Sequence, residues 1–463
     1  MISPERSVSA LDLGLLAPGR AGSRVEAETG DGAYLQALLD AESALARAQS
    51  GLGLIPKAAG DAITAAALAE RFDLRELALS ASSGGNPVIP LVGALRAAVG
   101  GEHADAVHRG ATSQDIMDSA TMLVADRARV VVLADLDRTA SALAVLAARH
   151  RRTPMAARTL TQQAVPTSFG LKAAGWRCLV LDARDRLAAL TLPAQLGGAA
   201  GTLAALIPEN EAHSVFELVV RYATEVGLDI PTLPWHVLRT PVAELGAALA
   251  LTAGALGKFA ADVLVLGRGE IGEVVRRDGA AGGSSAMPHK ANPVEATLIA
   301  SVARQVPALA GVLYGSMVAE DERPSGAWHA EWQSLREALR QTGMAAELAA
   351  ELAEGIDARP DRMARNLALS NGLILSERLV GALDPLLGRE TARAVVTAAA
   401  HRSAEDDAAL FDVLVEAPEI GALLDAKQLT EDGLAELLDP AGYLGAAAEL
   451  VDRALSRGPR AGK

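Results

Sequence analysis

The stretch Gly283-Ser284-Ser285-Ala286-Met287-Pro288-His289-Lys290-Ala291-Asn292-Pro293 is the most informative part of this chain. It combines two serines, a lysine and an asparagine with two prolines. Because Pro288 and Pro293 lack an amide donor and fix φ, this serine loop cannot be regular helix. The pattern predicts a loop of defined shape, and polar groups gathered on such a loop indicate chemistry more than packing.

The rest of the sequence is rich in alanine and leucine. Of the 463 residues, 50% are hydrophobic and only 3% are aromatic. Small aliphatic side chains favour closely packed helices over a β-rich fold, so an all-α fold is predicted. The net charge is −14 and no run of Lys or Arg stands out. This balance argues against a nucleic-acid surface, and any anion site must be a local cluster of cations and backbone amides.

Three features predict a cytoplasmic protein. Cys178 is the only cysteine, so it cannot form an internal disulfide, and it suits a reducing compartment. The N-terminus lacks the basic and apolar regions of a signal peptide. The longest uncharged stretch, 187–208, contains Pro193 and several glycines, which predicts a turn between helices and no membrane span.

Helical periodicity predicts three helical domains, at residues 1–105, 106–360 and 361–463. The first contains helices from residue 33, over 57–70 and over 88–99, with a loop at 82–87. The middle domain contains long helices, far above the average length, over 115–151, 168–190, 211–226, 241–267 and 293–318. Long helices that are apolar on more than one face predict a central bundle, and their surplus apolar surface predicts oligomerisation.

Four polar loops interrupt this alanine- and leucine-rich sequence, and they lie where the ends of the bundle are expected. They are Ser83-Gly84-Gly85-Asn86-Pro87, the segment 108–115 (HRGATSQD), the segment 158–167 (RTLTQQAVPT) and the serine loop.

The last three of these loops together resemble the fumarase/aspartase superfamily, and the resemblance covers nearly the whole chain. Further segments are similar to the bacterial 3-carboxy-cis,cis-muconate cycloisomerase family, which lactonises a tricarboxylate. These segments are 85–92 (GNPVIPLV), 195–202 (QLGGAAGT), 234–236 (PWH), 326–332 (GAWHAEW) and 438–445 (LDPAGYLG).

The resemblance implies roles for individual residues. Ser284 would carry the proton to and from the carbon beside a carboxylate, as alkoxide in elimination and as hydroxyl in cyclisation. Removing so weakly acidic a proton requires strong stabilisation of the developing negative charge. Lys290 and Asn292 would hold that carboxylate, and Arg323 would act as a charge clamp. The remaining candidates are Thr112, Ser113, Gln162 and Asn86 as hydrogen-bond donors to substrate, and His289, Arg158 and His329 as further site residues.

Several of these residues can also be explained by a structural role alone. Thr112 and Ser113 also suit the start of a helix before Asp115, and His289 also suits loop structure. His329 can serve only to orient Trp328 for packing. No histidine or cysteine spacing indicates a metal, and the resemblance implies no cofactor.

One difference from the superfamily pattern narrows the choice among possible reactions. Many relatives carry histidine after the threonine of the Arg-Thr segment, where it assists the leaving group, and here that position is Leu160. The difference favours the cycloisomerase, whose leaving group is an internal carboxylate. The alternative is a fumarate-forming lyase acting on a substituted succinate, of nitrosuccinate or adenylosuccinate type. A third hypothesis is an inactive structural relative, against which the intact Ser284, Lys290 and Asn292 argue.

The resemblance also predicts the partners of the chain. The substrate would be a small di- or tricarboxylate, and the assembly a homotetramer whose active sites combine loops from three subunits. No nucleic-acid or membrane partner is expected.

Overall fold

The computed structural model describes residues 14–206, 212–277, 282–283, 287 and 290–460, and its fold is all-α. The helices of the first part are α1 (Arg24–Thr29), α2 (Asp31–Gly51), α3 (Lys57–Ala66), α4 (Leu74–Gly84) and α5 (Val88–Val99). The long helices are α6 (Ser113–Arg149), α7 (Phe169–Ala188), α8 (Ala212–Val226), α9 (Thr240–Leu266), α10 (Val294–Gly315) and α11 (Ala327–Gly355). Short helices complete the chain: α12 (Pro360–Ala368), α13 (Ser376–Leu387), α14 (Arg389–Asp406), α15 (Leu410–Val415), α16 (Pro418–Asp425), α17 (Glu431–Leu437) and α18 (Ala447–Leu455).

The strands are short and form antiparallel pairs. They are β1 (Pro154–Thr159) with β2 (Gln162–Ser168), β3 (Val274–Arg276) with β6 (Ile356–Ala358), and β4 (Gly282–Gly283) with β5 (Ala291–Asn292). Each pair lies beyond the end of a long helix. The strands therefore shape the connections of the bundle and form no separate layer.

Five helices, α6, α7, α9, α10 and α11, form the central bundle. α6 and α11 run in the same direction, since Asp118 bonds to Trp328 near their starts and Arg138 pairs with Glu354 near their ends. α7 runs against α6, because the Gly170 amide donates to the His150 carbonyl where one helix ends and the other begins. α10 likewise runs against α9. The bundle therefore has two distinct ends.

Small residues let the bundle helices approach closely. A Cβ atom built on Gly257 of α9 would lie 2.3 Å from the Cβ of Ala303 on α10, and one on Gly246 would lie 2.7 Å from Leu313. No side chain fits at such distances, so alanine or anything larger there would separate the two helices. This contact explains why a sequence so rich in small residues folds as a tight bundle.

Two large hydrophobic cores can be distinguished in the described residues, and a small third cluster of Ala156, Leu367, Ile374 and Leu375 joins β1 to the C-terminal part. The larger runs from Val25 to Met363 and joins α2, α3 and α5 to the bundle, with Val451 of α18 also packed on it. The smaller lies between Leu379 and Leu434, within the short C-terminal helices. The division into domains at residues 105 and 360 remains a prediction.

The two most apolar helices of the bundle are only partly covered by their own chain. α9 and α10 are long and apolar enough to cross a bilayer by length and composition alone. In their most apolar windows 50% and 39% of the residues are buried inside the protein. Val312, Tyr314 and Val318, on or just after α10, are among the exposed large side chains. These helices therefore serve as core helices on one side and leave an apolar surface on the other.

The structure confirms the five long helices predicted in the middle of the chain, with ends shifted by up to three residues. Four features differ from the predictions. The helix expected over 57–70 is shorter, since α3 ends at Ala66 and only a 3-10 turn follows at Ala69–Arg71. The 29-residue helix α11 was not predicted, because its start was interpreted only as a motif. The expected loop at 82–87 begins later, since α4 extends to Gly84. The segment 158–167 is a β-hairpin and not an irregular loop.

Candidate active site

Thr112 and Ser113 lie at the start of α6, as predicted. Thr112 is the N-cap, and its amide donates to the Asp115 carboxylate at 3.0 Å. In return the Asp115 amide donates to the Thr112 carbonyl at 3.0 Å. This arrangement fixes the first turn of a 37-residue helix, whose N-terminus favours a bound anion.

The Asp115 carboxylate joins three loops at this end of the bundle. It is fully buried, and it accepts hydrogen bonds from the amides of Gly197 at 2.8 Å and Gly198 at 3.0 Å. His236 Nε2 lies 2.7 Å from Oδ1, the same carboxylate oxygen that accepts from Gly197. Gly198 has φ +70°, and a Cβ on Gly197 would lie 2.7 Å from His236. The glycines of segment 195–202 are therefore needed for close backbone approach and do not form a nucleotide loop.

Arg323 is brought directly to the start of α6. Its Nη2 donates to the Thr112 hydroxyl at 3.2 Å and to the Ala199 carbonyl at 3.2 Å, while Nε donates to Gln114 Oε1 at 3.1 Å. The rest of the side chain is exposed. The structure thus places a guanidinium beside the Thr112 hydroxyl, an arrangement suited to binding a carboxylate, and the contact of both residues with substrate remains a prediction.

Asn86 and His329 lie at the same end of the bundle. The Asn86 carboxamide oxygen accepts from the amides of Val88 at 3.1 Å and Ile89 at 3.3 Å, so it holds the start of α5. A Cβ on the neighbouring Gly85 would lie 3.7 Å from His329 Nε2. The His329 ring packs edge-on against Trp328 and at a tilt against Trp332. The packing role of both residues is visible, and their contact with substrate remains a prediction.

His108, in the same polar segment as Thr112, is paired with the buried Glu42. The two side chains lie 2.6 Å apart at Nδ1 and Oε1. Burial lowers the pKa of His108, but the hydrogen bond and charge of Glu42 outweigh burial and raise it above its ordinary value. The pair fixes the loop that leads into α6.

Gln162 lies at the opposite end of the bundle, at the tip of the β1–β2 hairpin. Thr159 pairs with Gln162, so Leu160 and Thr161 alone form the turn, with φ of +48° and +70°. Two consecutive residues with positive φ are typical of a type I′ turn. Gln162 and Leu160 are exposed, Leu160 to 95%. The hairpin therefore presents this tip away from its own chain.

Arg158 is engaged in an ion pair below the hairpin tip. Its Nη1 and Nη2 donate to the two oxygens of the fully buried Glu273 at 2.9 and 2.7 Å. Asn366 Nδ2 donates to the same carboxylate at 2.7 Å. This bidentate pair fastens the hairpin to Glu273, the residue before β3, so Arg158 has a visible structural role and its contact with substrate remains a prediction.

The base of the serine loop lies at the same end as Gln162. Gly282 pairs with Asn292 and Gly283 with Ala291, which joins the two sides of the loop. Lys290 is exposed, and its amide donates to the Met287 carbonyl at 3.0 Å. Ser284 and His289 lie outside the described residues, so their predicted roles rest on the sequence.

A buried charged cluster supports the Arg323 end and was not predicted from the sequence. Arg239 donates to Asp118 at 2.7 and 3.2 Å and to Glu331 at 3.0 and 2.5 Å, and all three side chains are nearly inaccessible. Burial lowers the pKa of Arg239, but the two carboxylates more than reverse this and raise it, so it stays charged. The available signal was Asp118, a charge one turn after Asp115 in an otherwise apolar stretch.

Comparisons with known proteins agree with this architecture. Residues 21–308 match the protein family described as Lyase, and residues 372–454 match the family described as Adenylosuccinate lyase C-terminus. The chain is 54% identical over 469 residues to the nitrosuccinate lyase of Streptomyces davaonensis, covering 99% of this chain and 98% of that protein. It is 40% identical over 450 residues to the 3-carboxy-cis,cis-muconate cycloisomerase of Bradyrhizobium diazoefficiens, covering 95% and 97%.

Solved structures show the same fold. The 3-carboxy-cis,cis-muconate lactonizing enzyme from Pseudomonas putida superposes with a TM-score of 0.87 at 38% identity, covering 93% of this chain and 96% of that one. Sequence and structure agree over nearly the full length, so the chain belongs to the lyase family of the fumarase/aspartase superfamily and is an enzyme of that superfamily.

Proposed function

We propose that this enzyme is a fumarate-forming lyase that eliminates nitrite from nitrosuccinate. The observation that carries the proposal is the 54% identity to a nitrosuccinate lyase over 99% of the chain. The residues at the site are compatible with this reaction: a serine loop with Lys290 and Asn292, and Arg323 beside Thr112. This reverses the order that the sequence alone favoured, in which the cycloisomerase came first.

The chemistry can be written through the residues of this chain. Ser284, as alkoxide, takes the proton from the carbon that bears no nitro group, next to a carboxylate. The electron pair moves into that carboxylate and then forms the carbon–carbon double bond of fumarate. The carbon–nitrogen bond breaks, and its electron pair leaves with nitrite. Lys290 and Asn292 stabilise the charged carboxylate, which is where such catalysis gains most.

Leu160 supports a leaving group that departs as an anion. Nitrite is a stable anion and needs no proton as it leaves, whereas an amine or purine needs a general acid. An exposed leucine stands where many relatives carry histidine, and leucine cannot donate a proton. Adenylosuccinate-type activity is therefore disfavoured.

The cycloisomerase remains the second candidate, because its leaving group is also an anion. The specific observation in its favour is the 40% identity to the enzyme of Bradyrhizobium diazoefficiens, together with the TM-score of 0.87 to the enzyme of Pseudomonas putida. Both reactions can use the proton transfer by Ser284 described above, so the two candidates differ in the substrate that the enzyme accepts.

A two-substrate assay separates these candidates. We expect wild-type enzyme to convert nitrosuccinate into equal amounts of fumarate, measured by ultraviolet absorbance, and nitrite, measured by a colorimetric reaction. We expect no loss of 3-carboxy-cis,cis-muconate absorbance under the same conditions. Turnover of the muconate without nitrite release would establish the cycloisomerase instead, and turnover of neither by a folded oligomer would contradict both.

The distance between the two ends of the bundle leads us to propose that active sites are shared between subunits. α6 has 37 residues and is therefore about 55 Å long. Thr112 precedes its first residue, and Gln162 follows its last by way of β1. A four-carbon dicarboxylate is far shorter than this separation, so one molecule cannot touch both residues in a single chain.

The apolar surfaces of α9 and α10 are suited to such an assembly. Exposed apolar helix faces of this kind are normally covered by another subunit, and closed symmetric assemblies are the usual result. A homotetramer in which the start of one α6 meets the hairpin of another chain would complete the site. Small carboxylates are the substrates, and no cofactor is needed for the proposed step.

Shared sites predict recovery of activity when two inactive variants are co-expressed. Ser284→Ala and Arg323→Ala alter opposite ends of the bundle, so some sites in mixed oligomers receive both normal segments. With random assembly we expect about a quarter of wild-type activity to return, since each segment is normal in half of the sites. The measurement is kcat per oligomer after tandem affinity purification of mixed assemblies.

The matched control is co-expression of Ser284→Ala with Lys290→Ala. Both substitutions lie in the serine loop, so each site receives one altered loop and no activity should return. Equal recovery in the two experiments, or none in the first, would show that the sites are not divided in the proposed way.

A further inference from the structure

Gln114 lies between Arg323 and the buried charged cluster, and its carboxamide can adopt only one orientation. Its Nε2 donates to Asp118 Oδ2 at 3.2 Å and to the His236 carbonyl at 2.8 Å. Both partners are pure acceptors, so the nitrogen must face them. The carboxamide oxygen consequently faces Arg323 Nε, 3.1 Å away.

Asp118 is itself held rigidly. Beside Gln114 it accepts from both terminal nitrogens of Arg239 and from the Trp328 indole at 2.9 Å. Arg239 is held in turn by Glu331. Gln114 is 1% exposed, and each of the three charged residues behind it is at most 3% exposed. A buried network with so many engaged donors allows little movement.

The hydrogen bonds of Arg323 leave one part of its guanidinium available. Nε is used by Gln114, and Nη2 is used by Thr112 and Ala199. Within the described part of the chain no hydrogen bond to Nη1 is found. The two N–H groups of Nη1 are therefore the ones that can reach a substrate oxygen.

We propose that Gln114 is a positioning residue that orients Arg323 so that its Nη1 faces a carboxylate or nitro oxygen of the substrate. Gln114 does not touch the substrate in this arrangement. It transmits the fixed geometry of Asp118, Arg239 and Glu331 to an otherwise exposed side chain. The inference rests on the proposed function, since it takes the dicarboxylate site at the start of α6 as the substrate site.

A rigid Arg323 matters because an exposed arginine loses side-chain entropy when it binds a ligand. Holding the guanidinium in advance removes much of that cost. The carboxylates of Asp118 and Glu331 outnumber the single cation of Arg239, so the cluster also favours a second cation, Arg323, nearby. Loss of Gln114 should therefore weaken substrate binding more than it slows the chemical step.

The test is a double-mutant cycle of Gln114→Met and Arg323→Lys. Methionine preserves the unbranched shape, and Asp118 keeps its bonds to Arg239 and Trp328. We expect Gln114→Met to raise the KM for nitrosuccinate, and the Kd for succinate, about tenfold, the size of one charge-assisted hydrogen bond, with kcat nearly unchanged. In the Arg323→Lys background the same substitution should have almost no further effect, because Gln114 acts through Arg323.

The control is Gln49→Met, which removes another buried amide at this end of the bundle. Gln49 donates to the Arg109 carbonyl at 2.8 Å and does not contact Arg323. Its KM and Kd should stay near the wild-type values. If Gln114→Met does not fold, Gln114→Leu, which has a similar volume and no charge, replaces it in the cycle with the same expected results.

Additive effects in the cycle, or an unchanged Kd in the Gln114 variant, would overturn the positioning role. Succinate binding is measured by calorimetry and does not depend on turnover, so the role of Gln114 can be tested even if the proposed function is wrong. If wild type binds succinate but does not turn over nitrosuccinate, the proposed function fails, and the cycle on Kd still decides the role of Gln114.

Discussion

Replacing Ser284 with alanine is expected to lower kcat for nitrosuccinate by about 10³-fold, because a positioned acid–base group typically contributes 10²- to 10⁴-fold. Alanine removes the oxygen that accepts the proton in the proposed step. The side chains that would hold the carboxylates stay in place, so the Kd for succinate should change little. Steady-state fumarate formation and calorimetric succinate binding give the two quantities.

Ser285→Ala is the matched control for this experiment, since it removes the neighbouring hydroxyl from the same loop. We expect it to keep most of its activity. A Ser284→Ala enzyme with wild-type kcat would remove the serine from the mechanism. Comparable losses in both variants would indicate a role for the loop as a whole, with no special role for Ser284.

Replacing Arg239 with methionine is expected to destabilise the protein by about 3–5 kcal/mol, the range measured when one partner of a buried ion pair is removed. The substitution leaves Asp118 and Glu331 buried without their shared cation. Lost packing is a smaller factor, because methionine fills much of the volume. Thermal unfolding at fixed protein concentration, followed by intrinsic fluorescence, reports the change.

Two further variants show whether the orphaned charges cause the effect. Arg239→Met combined with Asp118→Asn and Glu331→Gln removes those charges, and it should recover part of the lost stability. Arg402→Met is the surface control, since Arg402 and its partner Glu416 are about half exposed and a solvent-exposed pair contributes little to stability. A single Arg239 variant as stable as this control would contradict the importance of the cluster.

Local rules were sufficient to predict much of the fold. The spacing of alanine and leucine predicts α6, α7, α9 and α10 to within a turn, because long periodic segments are the most reliable signal in a sequence. α11 was not predicted because its first turns, Gly326–Trp332, were interpreted as a functional motif. The tryptophans and the histidine of this segment in fact pack on the core and at its edge. The β1–β2 hairpin was missed since Leu160-Thr161 is an unusual pair for a turn that needs two positive φ angles.

The site was predictable only where a residue belongs to a local pattern. Thr112 was found as a helix start, and the structure brings Arg323 to it across more than two hundred residues. No local sequence pattern predicts that Gln114, Asp118, Arg239 and Glu331 form a group, because their contacts exist only after the helices pack. Arg158 is the opposite case. An arginine in a polar loop suggests substrate binding, but this one is paired with Glu273, which lies far along the sequence.

The length of α6 has a consequence of its own. In the proposed assembly each chain supplies its two ends to different catalytic centres, so α6 acts as a spacer that sets how far apart those centres lie. One inserted residue would rotate everything beyond it by about 100° and shift it by about 1.5 Å. Two centres would be disturbed at once. Evolution can therefore vary the exposed side chains of this helix far more freely than its number of residues.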